Sequence, residues 1–187
     1  MPVHRIRQLG DPVLRTRCEL VTKPRSAAVR VVLDGMRETL QDWQARFGAG
    51  RAIAAPQIGA PMRLVVVEID EPWPLINPEI VDIGTEDFDV WDDCFSFPDL
   101  LVRVSRAYRI KVRYQDPTGK DREVDLEGDK AELLQHEIDH LDGVLSVDRP
   151  TGLDPFCMRE EWNRLHAAEG RYGKREERAA IFGAAAM

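Results

Sequence analysis

The stretch Gly128-Asp-Lys-Ala-Glu-Leu-Leu-Gln-His136-Glu137-Ile-Asp-His140-Leu-Asp-Gly143 decides how the rest of the chain is read. Residues four apart on a helix share a face, so a helix over 128–141 brings the imidazoles of His136 and His140 to one point. Glu137, the next residue along, reaches the same neighbourhood as a general base. Leu133, Leu134 and Leu141 flank the motif and predict a buried helix. Two imidazoles and a carboxylate are costly there unless something satisfies them. A divalent metal ion does so. A hydrolytic site uses three protein ligands and keeps one position open, so a third ligand has to come from elsewhere.

Working outward, Val29, Val32, Leu33, Met36, Leu40 and Trp43 recur at spacings of three and four. They predict an amphipathic helix over 26–47, ended by Gly48 and Gly50. Before it, Leu9-Gly-Asp-Pro12 and Thr22-Lys-Pro24 mark an irregular arm over 1–24. Residues 63–69 form a β-branched strand, Glu71-Pro-Trp-Pro74 interrupts it, and 75–81 begins a second. After an acidic stretch come strands at 100–106, 109–115 and 122–126, the last two joined by Asp116-Pro-Thr-Gly119 as an antiparallel hairpin. A final helix is expected from Leu153-Asp154-Pro155, with Asp154 as N-cap and Pro155 in the first position, to about Gly170. The expectation is an α+β fold: antiparallel strands packed around a central helix that carries the metal motif. Residues 1–170 make one catalytic domain in this reading, and 171–187, charged and then Ala-rich, form a loosely held tail.

The 187 residues suit one domain with a substantial core, and 43% hydrophobic with 32% charged is an ordinary globular balance. A net charge of −7 argues against nucleic acid as the main partner. No segment has membrane-spanning length and the first residues lack a secretory apolar run, so no membrane association and a cytoplasmic location are expected. Cys18, Cys94 and Cys157 are too few and too far apart for a disulfide framework. Cys18 and Cys157 are read as plain buried or half-buried thiols in a reducing compartment.

Two residue types compete for the third ligand. Metalloproteases with this helix take a glutamate from a following helix, which points to Glu160 or Glu161. The other candidate is Cys94, within Trp91-Asp-Asp-Cys94-Phe-Ser-Phe-Pro98. A free Cys is most often a small buried hydrophobe, whereas a thiolate is a strong metal ligand. Three ordered segments bear on the choice. Gly50-Arg-Ala-Ile-Ala-Ala-Pro-Gln57, the Cys94 segment and Gln135-His-Glu-Ile-Asp-His140 resemble, in that order, the Gly-x-Gly-x-Ala-Ala-x-Gln, Glu-Gly-Cys-x-Ser and Gln-His-Glu-x-Asp-His motifs of peptide deformylase. Leu9-Gly-Asp-Pro12, Ile76-Asn-Pro-Glu79 and Leu141-Asp-Gly-Val-Leu145 extend the match over about residues 5–150.

The resemblance implies Cys94, His136 and His140 as ligands, with Fe(II) as the usual metal and Zn, Ni or Co as substitutes. It implies an N-formyl peptide as substrate, carried on nascent chains at the ribosome. Glu137 would take a proton from the attacking water and pass it to the leaving amine. The Gln57 amide and the backbone N–H of Phe95 would meet the developing oxyanion; outside such a motif, a loop Gln more often braces a turn. The same resemblance sets Gly50, Arg51, Ala52, Val90, Asp93, Asp129, Glu132 and Leu133 around the substrate.

Departures from the family pattern touch the substrate more than the chemistry. Ala52 replaces a glycine and Asp92-Asp93 replaces Glu-Gly, where small residues let a peptide approach as an added strand. Arg51, Asp93, Asp129 and Glu132 place charges around a pocket expected to be apolar. They are expected to snorkel to water and leave Leu133, Val90 and Phe95 as the lining. Asp139 does not face the metal; it or Asp92 is expected to pair with Arg106 and brace the site. His4 and His166 are expected to face solvent.

The function read from these residues is a metal-dependent hydrolase that removes the formyl group from formylmethionyl N-termini and releases formate. One rival is a specialised amidase acting on a polar N-formyl or N-acyl compound. A second is a zinc peptidase using Glu160 or Glu161. A third is a non-enzymatic binding module whose groove Asp93 blocks, against which Glu137 argues, since a scaffold has no use for a general base.

Overall fold

The computed structural model describes residues 3–69 and 71–166. The expected run of the last helix to Gly170, and the tail 171–187, lie outside the described residues.

The first helix, α1, covers Ala27–Phe47. Ser26 caps it by accepting from the Val29 N–H at 3.3 Å, and Gly48 ends it in the left-handed region at φ 66°. One sheet contains β1 (Ala52–Ala54), β2 (Leu64–Glu68), β3 (Pro72–Ile83), β6 (Arg109–Gln115) and β7 (Asp121–Glu127) in the order β1-β2-β3-β6-β7. A smaller sheet orders β4 (Asp87–Asp93), β5 (Leu100–Ala107) and β8 (Phe156–Met158). Among the described residues, every pairing between these strands is antiparallel.

β2 shows why so apolar a strand forms here. Successive side chains point to opposite faces of a sheet. Leu64 and Val66 enter one core cluster with Val29, Met36 and Leu40 of α1. Val65 and Val67 enter a second cluster with Ala131, Leu134, Ile138 and Leu141. Those four belong to α2, Gly128–Leu141, the helix of the His-Glu-x-x-His motif. The larger sheet thus lies between α1 and α2, covered on both faces, and its strands carry apolar residues in both phases. α2 also packs against β5 of the smaller sheet, which sets the motif where the two sheets meet.

Three expectations need correction. Glu71-Pro-Trp-Pro74 does not interrupt the strands: Pro72 and Pro74 lie inside β3, in register with Glu68 and Val66. β6 joins β3 only from Ile76 onward, so this end of β3 is an edge that tolerates missing N–H donors. The acidic stretch contains β4, whose Phe88, Val90 and Asp92 turn inward while Asp87 and Asp89 stay exposed. Aspartate is a poor strand former, and pairing along all of β5 overrides it. Finally, 153–155 starts no helix. Asp154 sits at φ 52°, residues 156–158 pair with β5, and α3 covers only Arg159–Leu165 after an N-cap at Met158.

Candidate active site

Four elements deliver the site. α2 presents His136, Glu137 and His140 from one face; Cys94 follows the end of β4; Gln57 lies in the 3-10 turn Ala55–Ile58 that follows β1. All five residues are buried. His140 Nε2 stands 3.2 Å from His136 Nε2 and 3.3 Å from Cys94 Sγ. Cys94, His136 and His140 are the group among the described residues able to hold a metal ion, their donor atoms all within 4.8 Å of one another. Donors around a four-coordinate ion with nitrogen and sulfur bonds of about 2.1 and 2.3 Å lie roughly 3.3–3.6 Å apart, so this set fits one. Glu160 and Glu161 are exposed on α3, with Glu161 paired to Arg164.

The tautomers fit as well. His136 Nδ1 meets Asp92 Oδ2 at 2.9 Å, which turns the Nε2 lone pair toward Cys94 and His140. Asp92 also accepts from Arg106 at 3.0 Å, and Arg106 donates to Asp139 at 2.5 Å. The expected brace therefore uses both aspartates. Burial opposes the charge on Arg106, but Asp92 and Asp139 outweigh it and hold the guanidinium's pKa above its ordinary value. Burial likewise opposes an imidazolium at His136, and Asp92 with Cys94 overrides it and raises the pKa well above normal. His140 shifts the other way, kept neutral by burial and by the charge of His136. His140 Nδ1 is buried without a partner among the described residues.

Glu137 is 3% exposed, and its Oε2 has no hydrogen-bond partner among the described residues. Burial pushes its carboxyl up to about 7, against the lowering pull of His136 and with help from Asp92 and Glu132. A carboxyl titrating near neutrality is matched to proton transfer. Gln57 serves two tasks at once. Its Oε1 accepts from the Ala54 N–H at 2.9 Å, which fixes the amide, and its Nε2 points to Cys94 Sγ at 3.5 Å and Ser96 Oγ at 3.4 Å.

A cavity of about 570 Å3 opens beside these groups. Trp43, Phe47, Phe95 and Leu133 form its apolar wall. Gly50 sits at φ 122°, and a Cβ there would lie 2.8 Å from the Phe95 ring, so only glycine lets Phe95 stack on Trp43 at 4.5 Å. The charged residues divide: the Asp129 side chain, 41% exposed and outside the cavity lining, turns to water as expected, whereas Glu132 and Asp93 do not. Glu132 is 1% exposed rather than turned to water, held by Arg51 at 2.8 Å. Asp93 lines the cavity with its charge met by Arg159 at 3.0 Å. Asp129 reaches Arg51 at 3.8 Å. Val90 does not line the cavity: it is buried in a third core cluster with Leu14 and Val104. Ala52 lines the cavity, as expected. His4 and His166 are half-buried, His4 against Gly35 and His166 against the Trp91 ring at 5.3 Å.

Sequence reasoning missed Ser96, whose N–H lies 3.4 Å from Cys94 Sγ, although its place two residues past Cys94 was a usable signal. It also missed Arg159, which no local pattern ties to Asp93.

The polypeptide deformylase family model matches residues 3–155. The chain belongs to the polypeptide deformylase family. A peptide deformylase of Thermotoga maritima is 41% identical over 160 residues, covering 85% of this chain and 94% of the relative. The crystal structure of peptide deformylase from that organism matches this deformylase-family chain at TM-score 0.76 and 40% identity, over 81% of this chain and all (100%) of the other. A Met-Ala-Ser-bound deformylase of Acinetobacter baumannii matches at TM-score 0.72 and 28% identity, over 79% of this chain and 98% of the other.

Proposed function

We propose that this protein is a metal-dependent hydrolase that removes the N-formyl group from formylmethionyl N-termini of newly made peptides and releases formate. The observation that carries the reading is the convergence of Cys94, His136 and His140 beside a buried Glu137 in a chain of this family. A structural relative bound to Met-Ala-Ser adds that a methionine-first peptide suits the fold.

Cys94, His136 and His140 would hold the ion, with Fe(II) as the physiological metal and Zn, Ni or Co as substitutes. Such an ion, held there, would supply Lewis acidity. Glu137 takes the proton of the attacking water on its unpartnered oxygen and returns it to the departing amine. The Gln57 side-chain N–H, fixed by the Ala54 N–H at its other end, would stabilise the negative oxygen together with the Phe95 backbone N–H. Asp92 keeps His136 in the metal-binding tautomer. Gly50, Ala52 and Leu133 give the peptide room along the cavity wall. Residues 1–170 act as one catalytic domain in the cytoplasm on ribosome-borne nascent chains. Among the described residues, no helix is long and apolar enough to cross a membrane.

The test is anaerobic purification with metal analysis, followed by formate release from formyl-Met-Ala. Near-stoichiometric metal with activity is expected; Cys94→Ala loses the metal and Glu160→Ala retains it. Metal loss from Glu160→Ala with retention in Cys94→Ala would reverse the ligand assignment.

A further inference from the structure

One wall of the cavity carries an ion pair that the chemistry at Glu137 does not use. Arg51 Nη2 donates to Glu132 Oε2 at 2.8 Å, and both residues line the same cavity as His136 and Glu137. Arg51 also reaches the Asp129 carbonyl at 3.4 Å, so three contacts fix the guanidinium. Glu132 precedes His136 by four residues on α2, about 6 Å along the helix axis. In a formylated residue the reacting carbon is three bonds from Cβ, roughly 3–4 Å. An unbranched side chain adds roughly 4 Å more. A first side chain running back along α2 therefore ends at Arg51, Glu132 and Leu133.

Replacing a buried ion pair by an apolar filling of the same volume is often neutral or stabilising. An apolar pair here would fasten the residue before β1 to α2 as well. What the charged pair adds is polarity at the end of the side-chain path. We propose that Arg51 and Glu132 determine specificity, letting the cavity accept N-formyl peptides whose first side chain ends in a neutral hydrogen-bonding group, such as a primary amide, alongside formylmethionine. This rests on the deformylase reading of the site. Arg51 N–H groups meet the amide oxygen, the Glu132 carboxylate meets the amide N–H, and Leu133 packs on the methylenes.

An apolar pocket rejects a near-isostere with a polar end by roughly 100-fold. The experiment compares kcat/KM for formate release from formyl-Met-Ala and formyl-Gln-Ala, using metal-loaded wild type and Arg51→Leu/Glu132→Leu. A Met-over-Gln preference below about tenfold is expected in the wild type, widening about tenfold in the double variant. A change of less than threefold between the two proteins overturns the proposal. Should the double variant fail to fold, Arg51→Lys keeps the charge and loses the planar fork; a widening of at least threefold is expected there too, and anything smaller overturns the proposal. No formate from formyl-Met-Ala in the wild type removes the deformylase reading, and this proposal with it. Formate from formyl-Met-Ala with an unmoved ratio removes the proposal alone.

Discussion

Glu137 shows how much a side chain's chemistry depends on where the fold puts it. Its carboxyl reaches about 7 because burial penalises the charged form, a property the two flanking residues alone do not confer. Glu137→Gln removes the proton acceptor and keeps the shape, so kcat should fall by about 10²- to 10⁴-fold with metal content unchanged. A formate-release assay paired with metal analysis checks this, and activity within tenfold of wild type would remove Glu137 as the base. Gln57→Leu should cost about 10²- to 10³-fold in kcat, the size of a lost oxyanion donor. At this scale helical spacing made the meeting of His136 and His140, with Glu137 beside them, legible, and the ordered motifs of the family resemblance brought in Cys94. It was not legible for Glu132 and Asp93. Both were expected in water, but Arg51 and Arg159, distant in the chain, hold them at the cavity.

At the level of elements, α2 and β4 are coupled through charge. Asp92 on β4 bridges His136 of α2 and Arg106 of β5, and Arg106 binds Asp139 on the far turn of α2. Removing one partner of such a buried network leaves an uncompensated charge and costs about 3–5 kcal/mol. Arg106→Leu should therefore lower the denaturant midpoint strongly. Asp92→Ala should in addition weaken metal affinity about 10- to 100-fold, because His136 loses the partner that orients its ring. Competitive metal titration against a chelator reads the second effect, and unchanged affinity would make Asp92 purely structural. Most elements were readable from periodicity: α1, β2, the β6–β7 hairpin and α2 lie within a residue or two of expectation. β4 and the prolines of β3 were not. Their strand conformation comes from neighbours supplying the ladder, and a local sequence window contains no neighbours.

Across the whole molecule, Cys18 reports on the packing of the arm against the core. It belongs to the same apolar cluster as Leu134 and Leu141, and its N–H donates to the Leu141 carbonyl at 2.8 Å. Burial pushes its thiol from 9.0 to about 11, with Arg63 lowering it and Asp142 raising it. The folded state then holds the proton where the unfolded chain has lost it, so stability is flat below about pH 9 and falls as pH rises toward 11. The loss is on the order of 2 kcal/mol. Denaturation midpoints at pH 8 and 11 should separate in the wild type and converge in Cys18→Ala; equal separation in both would show that another group sets the alkaline limb. The sequence by itself determined the α+β class and the helix that pairs His136 with His140, because period and spacing are properties of a chain read locally; Cys94 was separated from Glu160 and Glu161 only by the family resemblance. Only the tertiary structure decided that Asp92 grips His136, that Arg51 holds Glu132 inside the cavity and that Arg159 answers Asp93. These pairings join residues brought together by two sheets and a helix, and inside that enclosure each charge is tolerable because its partner is beside it.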